Sequence, residues 1–212
     1  MRRRIVACAG LLLIAGLLSP AVVLADPWYH GSTRRVLAEP VYRTQRDGSR
    51  YAASNCGPAA LGMILDAYGV DLPTTELRRL THTYQGTWPN RGGTALQHIA
   101  HVAEDFGLSS HGLYDVPDEQ FHRWTLDEVA NQLRLGRWVI PLVRYNLLPG
   151  HEGGVRFGHY IVLYRVAGDG FLYDDPAYDP VEQGGGRWIS REQLDRAMDP
   201  VLVPRQAVAL GD

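Results

Sequence analysis

A single cysteine, Cys56, is left in this chain of 212 residues once a predicted export signal is set aside. No intramolecular disulfide can therefore cross-link the fold, and its stability must come from a packed core. The remaining length suits one domain with a core of its own. A lone thiol is also chemically vulnerable in an oxidising compartment, so its presence favours a functional role.

Residues 1–25 have the pattern of a secretory signal peptide. Three arginines at positions 2–4 precede an almost continuous apolar stretch at 5–18, and small residues up to Ala25 match a cleavage site. An uncleaved membrane anchor is the alternative interpretation, but the apolar stretch is short for a bilayer span and no stop-transfer charges follow it. Cys8 is predicted to leave with the signal. The expected location is secreted or extracytoplasmic, in the cell envelope.

After the signal, residues 26–39 are predicted to be an N-terminal extension and residues 40–212 to be one domain. The whole chain has 21 basic and 23 acidic residues, and loss of the signal arginines leaves it mildly acidic. Because it has no basic block, nucleic acid is not an expected partner. The sequence has no further membrane-spanning stretch, no metal-ligand cluster and no phosphate-binding glycine loop, so no cofactor is expected.

Helical periodicity and capping signals dominate the first half of the chain. Asn55 is expected to cap the first helix, and Gly69 is expected to end it in a left-handed conformation. Thr125 and Glu128 have the spacing of a capping box before the last of these helices. Four helices are predicted: from Cys56 to Tyr68, from Thr74 to His82, from a Thr94 cap to Gly107, and from Thr125 to Gly136.

Apolar and β-branched segments dominate the second half. The segment from His159 to Val166 is apolar on both faces and is predicted to be one central strand. A tight turn at 167–170 joins it to a partner strand, which makes a hairpin. Helices followed by an antiparallel sheet predict an α+β fold. The other predicted elements are strands at 108–113, 138–145, 171–174 and 201–210, an extended piece at 40–44, and a short helix opened by a capping box at 190–193.

The sequence around Cys56 places the thiol at the start of a helix. Gly57 and Pro58 suit the first helical positions, and strong helix formers follow them. The positive end of the helix dipole lowers the pKa of a thiol in this position and favours the thiolate. Since the thiolate is the attacking form, this pattern predicts nucleophilic catalysis by Cys56.

His159 is the predicted base, because it opens the strand expected to lie at the centre of the sheet. In a hairpin with its turn at 167–170, residues near 159 and 175 lie at the same open end. Asp175 is therefore placed to accept a hydrogen bond from the His159 ring and to set its tautomer. Asp174 is the fallback for this role, although strand alternation sends it to the opposite face.

The other histidines have structural interpretations. His98 and His101 are three positions apart on a predicted helix, but no third metal ligand accompanies them. His82 is predicted to lie at a helix end, where a cation is favourable. The histidines predicted to be exposed in polar stretches are His30, His122 and His151.

Thiol acyl transfer also needs hydrogen-bond donors for the oxyanion. The backbone N–H of Cys56 is one candidate, because it lies at a helix start. The side chain of Gln45, eleven residues before the thiol, is the second.

Five segments of the chain, in this order, resemble the double-glycine leader peptidase-like domains of the papain-like cysteine peptidase superfamily. The resemblance covers about 40–198 and implies a papain-like fold, with an N-terminal helical part packed on an antiparallel sheet. It also implies an oxyanion donor at Gln45, a nucleophile at Cys56, a base at His159 and an orienting carboxylate at Asp175. The segments are Gln45, NCGPAALGMIL from Asn55, GGTALQHIA from Gly92, GHYIVLYRV from Gly158 and DDPAYD from Asp174.

The predicted activity is that of a secreted cysteine peptidase, which hydrolyses a peptide or protein substrate through a thioester acyl-enzyme. One alternative is a thiol acyltransferase or cell-wall amidase that uses the same triad on a different amide. The other is a non-catalytic peptide-binding module with an aromatic contact surface at Tyr84, Trp88 and Trp124. The intact set of Cys, His and Asp favours an enzyme over the binding module.

Overall fold

The computed structural model describes residues 37–89, 92–115, 120–179 and 181–212. The predicted signal peptide, 1–25, and most of the predicted extension, 26–39, lie outside these ranges. Within them no helix combines the length and the apolar character that a bilayer span requires.

All four helices predicted in the first half of the chain form, and both predicted capping boxes, at Thr125 and Ser190, make their paired hydrogen bonds. Gly69 has a φ of 82°, which glycine adopts without steric cost, and it follows the end of the first helix. The helices are α1 Cys56–Ala67, α2 Thr74–Tyr84, α3 Leu96–Asp105, α4 Leu126–Arg134, α5 Val181–Gly184 and α6 Arg191–Met198, with 3₁₀ turns at Ala52–Ser54 and Tyr145–Leu147.

The predicted N-cap at Thr94 is wrong, and Asn55 lies at its predicted N-cap position without the expected side-chain bond. Helix α3 begins after Ala95, and the hydroxyl of Thr94 lies 3.3 Å from Nε2 of His82 instead. Asn55 makes no capping bond with its side chain, because its Oδ1 accepts a 3.0 Å hydrogen bond from Arg78. In both cases a buried side chain that is distant in sequence takes the polar group that the helix end would have used.

Seven strands of the described chain form one antiparallel sheet in the order β1-β7-β2-β4-β5-β6, with β3 paired to the end of β2. Helices α4 and α6 pack on β2, while α1 contacts β3 and α3 contacts β1 and β7. These observations establish the α+β class. The strands are β1 Ser109–His111, β2 Trp138–Arg144, β3 Gly158–Tyr160, β4 Val162–Ala167, β5 Gly170–Asp174, β6 Arg187–Ser190 and β7 Ala207–Gly211.

The predicted single strand from His159 to Val166 is divided at Ile161. Leu142 pairs with Tyr160, and Val139 pairs with Leu163, so the same register runs through both halves. This register places Ile161 opposite the proline at position 141, which has no backbone N–H to donate to the ladder. The missing donor explains why the pairing is interrupted there.

The last predicted strand, 201–210, is wrong in its first half. Residues 201–205 form bends and turns, Arg205 has a φ of 61°, and β7 begins only at Ala207. The extended piece at 40–44 does not join the sheet, since the N–H of Val41 donates to the carbonyl of Met63 on α1. Strand β6 and helix α5 were not predicted, because both are very short.

Helix α1 carries the core of the helical part. Ten of its twelve residues are buried, and a helix that is apolar on all sides belongs in an interior. It packs against α2, α3 and β3, so its N-terminus lies against the strand that carries His159. The core therefore brings Cys56 and His159 to the same place, although about a hundred residues separate them.

Candidate active site

Cys56 is the first residue of α1, and the chain before it is anchored by a buried arginine. Arg78 on α2 donates to Ser54 O at 3.1 Å, to Asn55 Oδ1 at 3.0 Å and to Gly92 O at 2.7 Å. Its guanidinium also lies 4.6 Å from the centre of the Tyr51 ring. These contacts hold the turn into α1 and thereby set the position of the thiol.

His159 is buried on β3 and is held by Asp175, which directly follows β5. Its Nε2 lies 2.8 Å from Asp175 Oδ1, and both side chains are at most 1% exposed. Its Nδ1 has no hydrogen-bond partner within the described part of the chain. The ring also interacts with the Cys56 thiol. Since Nε2 is engaged by Asp175, Nδ1 is the nitrogen available to the sulfur.

The surroundings of Cys56 stabilise its thiolate. Burial raises the pKa of the thiol, but the His159 ring and the backbone N–H groups of Tyr160 and Gly57 lower it by more, and the net pKa is below the ordinary value. These N–H groups are part of the helix start and of β3, so they are fixed before any substrate binds. The thiol is partly exposed, so it is accessible to a substrate.

The pKa of His159 changes in the opposite direction. Burial lowers it, but the hydrogen bonds and charges of Asp175 and Cys56 raise it to about 9. The lowered pKa of the thiol and the raised pKa of the imidazole both favour an ion pair of thiolate and imidazolium. This ionic pair is the form in which a cysteine attacks a carbonyl and a histidine supplies a proton to the leaving group.

Asp175 is the ionised anchor of the site. Burial alone would raise its pKa, but hydrogen bonds from His151, His159 and the N–H of Ala177 hold the pKa well below its usual range. The backbone is fixed as well, because Tyr42 Oη donates to Asp175 O and the Asp175 N–H donates to the carbonyl of Gly184. Its carboxylate therefore has a defined position relative to the imidazole.

Asp174, the fallback orienter, faces away from the histidine. Its Oδ1 accepts a 2.8 Å hydrogen bond from the N–H of Gly186, and burial raises its pKa to about 6. The alternation of side chains along β5 separates the two adjacent carboxylates in this way.

Gln45 is buried near the residues that follow Asp175. Its backbone N–H donates to the carbonyl of Pro176 at 2.8 Å, and its Nε2 donates to the carbonyl of Ala52 at 3.0 Å. One hydrogen of the side-chain amide is therefore engaged by Ala52. The role of Gln45 as an oxyanion donor stays a prediction.

His151 was predicted to be exposed, and this is wrong. Its side chain is 8% exposed, and its Nε2 lies 2.9 Å from Asp175 Oδ2. The ring lies between those of Tyr145 and Tyr178, with centroids 4.0 and 4.7 Å away. No local pattern reveals this contact, because 24 positions separate His151 from Asp175.

The remaining predicted histidine sites have structural partners. His82 is fully buried, and its Nδ1 lies 2.8 Å from the hydroxyl of Thr87; burial lowers its pKa to about 4. His98 and His101 lie with ring centroids 6.3 Å apart on α3. Among the described residues, no group of three or more potential ligands is placed to hold a metal ion.

A cavity of about 690 Å³ opens onto Cys56. One wall is the segment Gly93–Gln97 at the start of α3, and another is formed by Leu142, Gly158 and Tyr160 on β2 and β3. Apolar side chains such as Phe121 and Leu202 complete the lining. The cavity is large enough to hold several residues of a peptide beside the thiol.

A helix-terminal cysteine beside a strand histidine and a buried aspartate, on an α+β scaffold, defines the class of papain-like cysteine peptidases. The model of the peptidase C39 family matches residues 49–203, which is most of the chain. The chain belongs to the peptidase C39 family. The resemblance seen in its sequence segments is thereby confirmed.

The fold is shared with one solved C39-like peptidase at low sequence identity. A C39-like peptidase from Bacillus anthracis is 15% identical, with a TM-score of 0.55 over 84% of this chain and 97% of that one. The peptidase domain of Streptococcus ComA, a bi-functional ABC transporter, is 19% identical, with a TM-score of 0.47 over 75% and 92%. A double glycine motif protease from an AMS/PCAT transporter, in complex with its leader peptide, is 20% identical, with a TM-score of 0.48 over 84% and 93%. No curated protein matches the chain.

Proposed function

We propose that this protein is a secreted cysteine peptidase that hydrolyses peptide bonds through Cys56, His159 and Asp175. The main observation in support is the buried 2.8 Å contact between His159 Nε2 and Asp175. This contact leaves His159 Nδ1 available to the Cys56 thiol, whose pKa is lowered. Family membership supports the peptidase activity. The signal-like segment at 1–25 supports the extracytoplasmic location.

Acylation follows from this arrangement. The Cys56 thiolate attacks the scissile carbonyl, a C–S bond forms, and the carbonyl oxygen becomes an oxyanion. The Cys56 N–H, one of the first N–H groups of α1 without an intrahelical acceptor, donates to that oxyanion, and the side-chain amide of Gln45 is the second donor. The imidazolium of His159 gives its Nδ1 proton to the departing amine as the C–N bond breaks.

Deacylation uses the same groups in the reverse protonation state. Neutral His159 takes a proton from water, the hydroxide attacks the thioester, and the C–S bond breaks. The products are a carboxylic acid and the original thiolate–imidazolium pair. Asp175 stays ionised throughout and stabilises the imidazolium, which is the function of the buried acid in such triads.

The experiment uses the chain without residues 1–25, an electrophilic peptide library, and mass spectrometry to map the modified residue. We expect one adduct, on Cys56, and turnover of some peptides that Cys56→Ala abolishes without unfolding the protein. His122→Gln is a matched control, because His122 pairs with Asp115 and Glu128 on the surface and not with the triad. Full turnover by Cys56→Ala would refute the proposal. An adduct without any peptide turnover would favour the acyltransferase or amidase alternative.

A further inference from the structure

A second histidine holds the oxygen of Asp175 that His159 does not use. His151 Nε2 lies 2.9 Å from Oδ2, while His159 Nε2 lies 2.8 Å from Oδ1. The His151 ring is packed between two tyrosine rings, those of Tyr145 and Tyr178, so it cannot swing away from the carboxylate. Both oxygens of a completely buried carboxylate therefore have a fixed donor.

We propose that His151 is a positioning residue for the peptidase reaction, and that it acts by locking the rotation of the Asp175 carboxylate. A carboxylate can rotate about its last side-chain bond, and the two donors on Oδ1, His159 Nε2 and the Ala177 N–H, hold only one of its oxygens. A donor on Oδ2 fixes the plane of the group and so aims Oδ1 at the imidazole. Without it, Oδ2 would also be a buried acceptor with no partner, which is unfavourable.

The proposal rests on the proposed function, and alkylation of Cys56 by iodoacetamide tests it without a peptide substrate. Asp175 stabilises the imidazolium, and the imidazolium stabilises the thiolate, so a misdirected carboxylate reduces thiolate at low pH. The titratable and charged groups that act on Asp175 are His151, His159, Tyr42, Tyr145, Tyr173, Tyr178 and Arg187.

Two variants separate the hydrogen bond from the packing. His151→Gln keeps an N–H donor at nearly the same distance along the side chain, whereas His151→Phe keeps an aromatic ring between the tyrosines but cannot donate. We expect His151→Phe to lose about 10- to 100-fold in kcat with KM within about twofold, as fits the loss of a hydrogen bond to a charged group. Its alkylation profile should move to higher pH, and His151→Gln should retain most of both properties.

Three results would overturn the inference. One is a His151→Phe enzyme with wild-type kcat and alkylation profile. Another is an equal loss in both variants, because the donor that His151→Gln keeps would then make no difference. If His151→Phe fails to fold, His151→Asn replaces it, because the Asn amide is one methylene too short to reach Oδ2. The third result that would overturn the inference is equal activity of the Asn and Gln variants. If Cys56→Ala retains turnover, the proposed function fails instead.

A different part of the structure supports a second inference. A cavity of about 470 Å³ lies beside the site and shares no lining residue with the larger cavity at Cys56. Its walls are mostly apolar, and Arg46 is the one charged side chain among the described lining residues. The lining residues are Gln45, Arg46, Ala52, Ala53, Tyr145, Val155, Phe157 and Ala177.

The position of this cavity relative to His159 indicates which half of a substrate it receives. The rings of Tyr145 and Phe157 meet the His159 ring edge-on, with centroids 5.3 and 6.3 Å away. The departing amine must come close to the imidazolium that protonates it. The peptide segment that follows the scissile bond therefore leaves Cys56 on the side where Tyr145 and Phe157 lie.

We propose that this cavity binds the residue directly after the scissile bond and selects a large apolar or aromatic side chain. Phe157 is 39% exposed and Val155 is 71% exposed, so both present apolar surface that a substrate side chain would cover. Tyr145 stacks on Phe157 with centroids 4.5 Å apart, which gives the cavity a flat aromatic wall. The inference rests on the proposed function, since it concerns the leaving group of the same reaction.

Partitioning of the acyl-enzyme tests this site directly. An added amino-acid amide attacks the thioester in place of water: a C–N bond forms, the C–S bond breaks, and the amine proton passes to His159. The probes are phenylalanine amide, glycine amide and aspartic acid amide, each in excess over a peptide ester that acylates Cys56. The ratio of transfer product to hydrolysis product is measured by chromatography.

We expect phenylalanine amide to be preferred over glycine amide by about 10-fold or more, which is the selectivity that an apolar pocket gives for a large side chain. Phe157→Ala should remove most of this preference, and Val155→Ala serves if that variant does not fold. Trp188→Ala is the control, since Trp188 is a similarly exposed ring on β6. Equal partitioning of the three amides, or a preference that survives both variants, would overturn the inference. Absence of any acyl-enzyme would instead refute the proposed function.

Discussion

Replacement of Asp175 by Asn removes the charge that keeps His159 protonated, and its effect can be estimated from the structure. Asp175 and Cys56 together raise the pKa of His159 from an ordinary 6.5 to about 9, against the effect of burial. With 1.36 kcal/mol for each pKa unit, the imidazolium is favoured by about 3 kcal/mol. Asp175→Asn should remove much of this stabilisation, because Asp175 is the first group that raises the pKa.

The consequence for Cys56 has a definite sign. The His159 imidazolium lowers the pKa of the Cys56 thiol, so loss of the imidazolium raises that pKa. The rate of Cys56 alkylation by iodoacetamide at pH 6 should fall by about 10- to 100-fold in Asp175→Asn, and kcat should fall at least as much. Stopped-flow alkylation from pH 4 to 10, with the unfolded chain as reference, measures the shift.

Asp174→Asn is the matched control, because it changes the neighbouring carboxylate, which faces Gly186 and not His159. It should leave the alkylation profile in place. An Asp175→Asn protein with the wild-type profile, or an equal shift in both variants, would refute the reasoning that links this carboxylate to the thiol.

Three further predictions concern the scaffold of the site and the pH range of the fold. Arg78→Met leaves Ser54 O, Asn55 Oδ1 and Gly92 O without their donor and should lower the free energy of unfolding in urea by about 3 kcal/mol or more. Gly184→Ala would place a Cβ 2.1 Å from Tyr42 Oη, so kcat and Tm should both fall, whereas an exposed Gly168→Ala should lower Tm alone. The His159 pKa of about 9 exceeds its ordinary 6.5, so its contribution to stability is complete below about pH 6.5 and is lost as pH rises through 9. The pKa of Asp175 is depressed, so its contribution to stability is complete above its ordinary pKa of 3.8 and is lost as pH falls further. Urea unfolding at a series of pH values checks both contributions.

The sequence predicted correctly those structural elements that depend on interactions between residues close together in the chain. The capping boxes at Thr125 and Ser190 form as expected, because each needs only residues three positions apart. The start of α1 at Cys56 follows from the Gly-Pro pair and the helix formers after it. These elements required no knowledge of what packs against them.

The wrong predictions share a physical cause, which is competition from residues distant in sequence. Asn55 and Thr94 satisfy buried partners in place of the helix ends that their residue types predict. The division of the strand at Ile161 depends on a proline in the neighbouring strand. His151 was assigned to solvent because its polar loop has no local sign of the carboxylate that it reaches.

From the order of its residues alone, the chain specified an α+β protein with a cysteine at a helix start and a histidine on a strand, because these depend on local propensity and on motif order. The tertiary structure decided the side-chain arrangements that depend on packing between segments distant in sequence. These are the pairing of Cys56 with His159, the separation of Asp174 from Asp175, and the second histidine on the buried carboxylate. Hydrogen bonds and charges act over a few ångströms, so their partners are known only when the core has brought distant segments together.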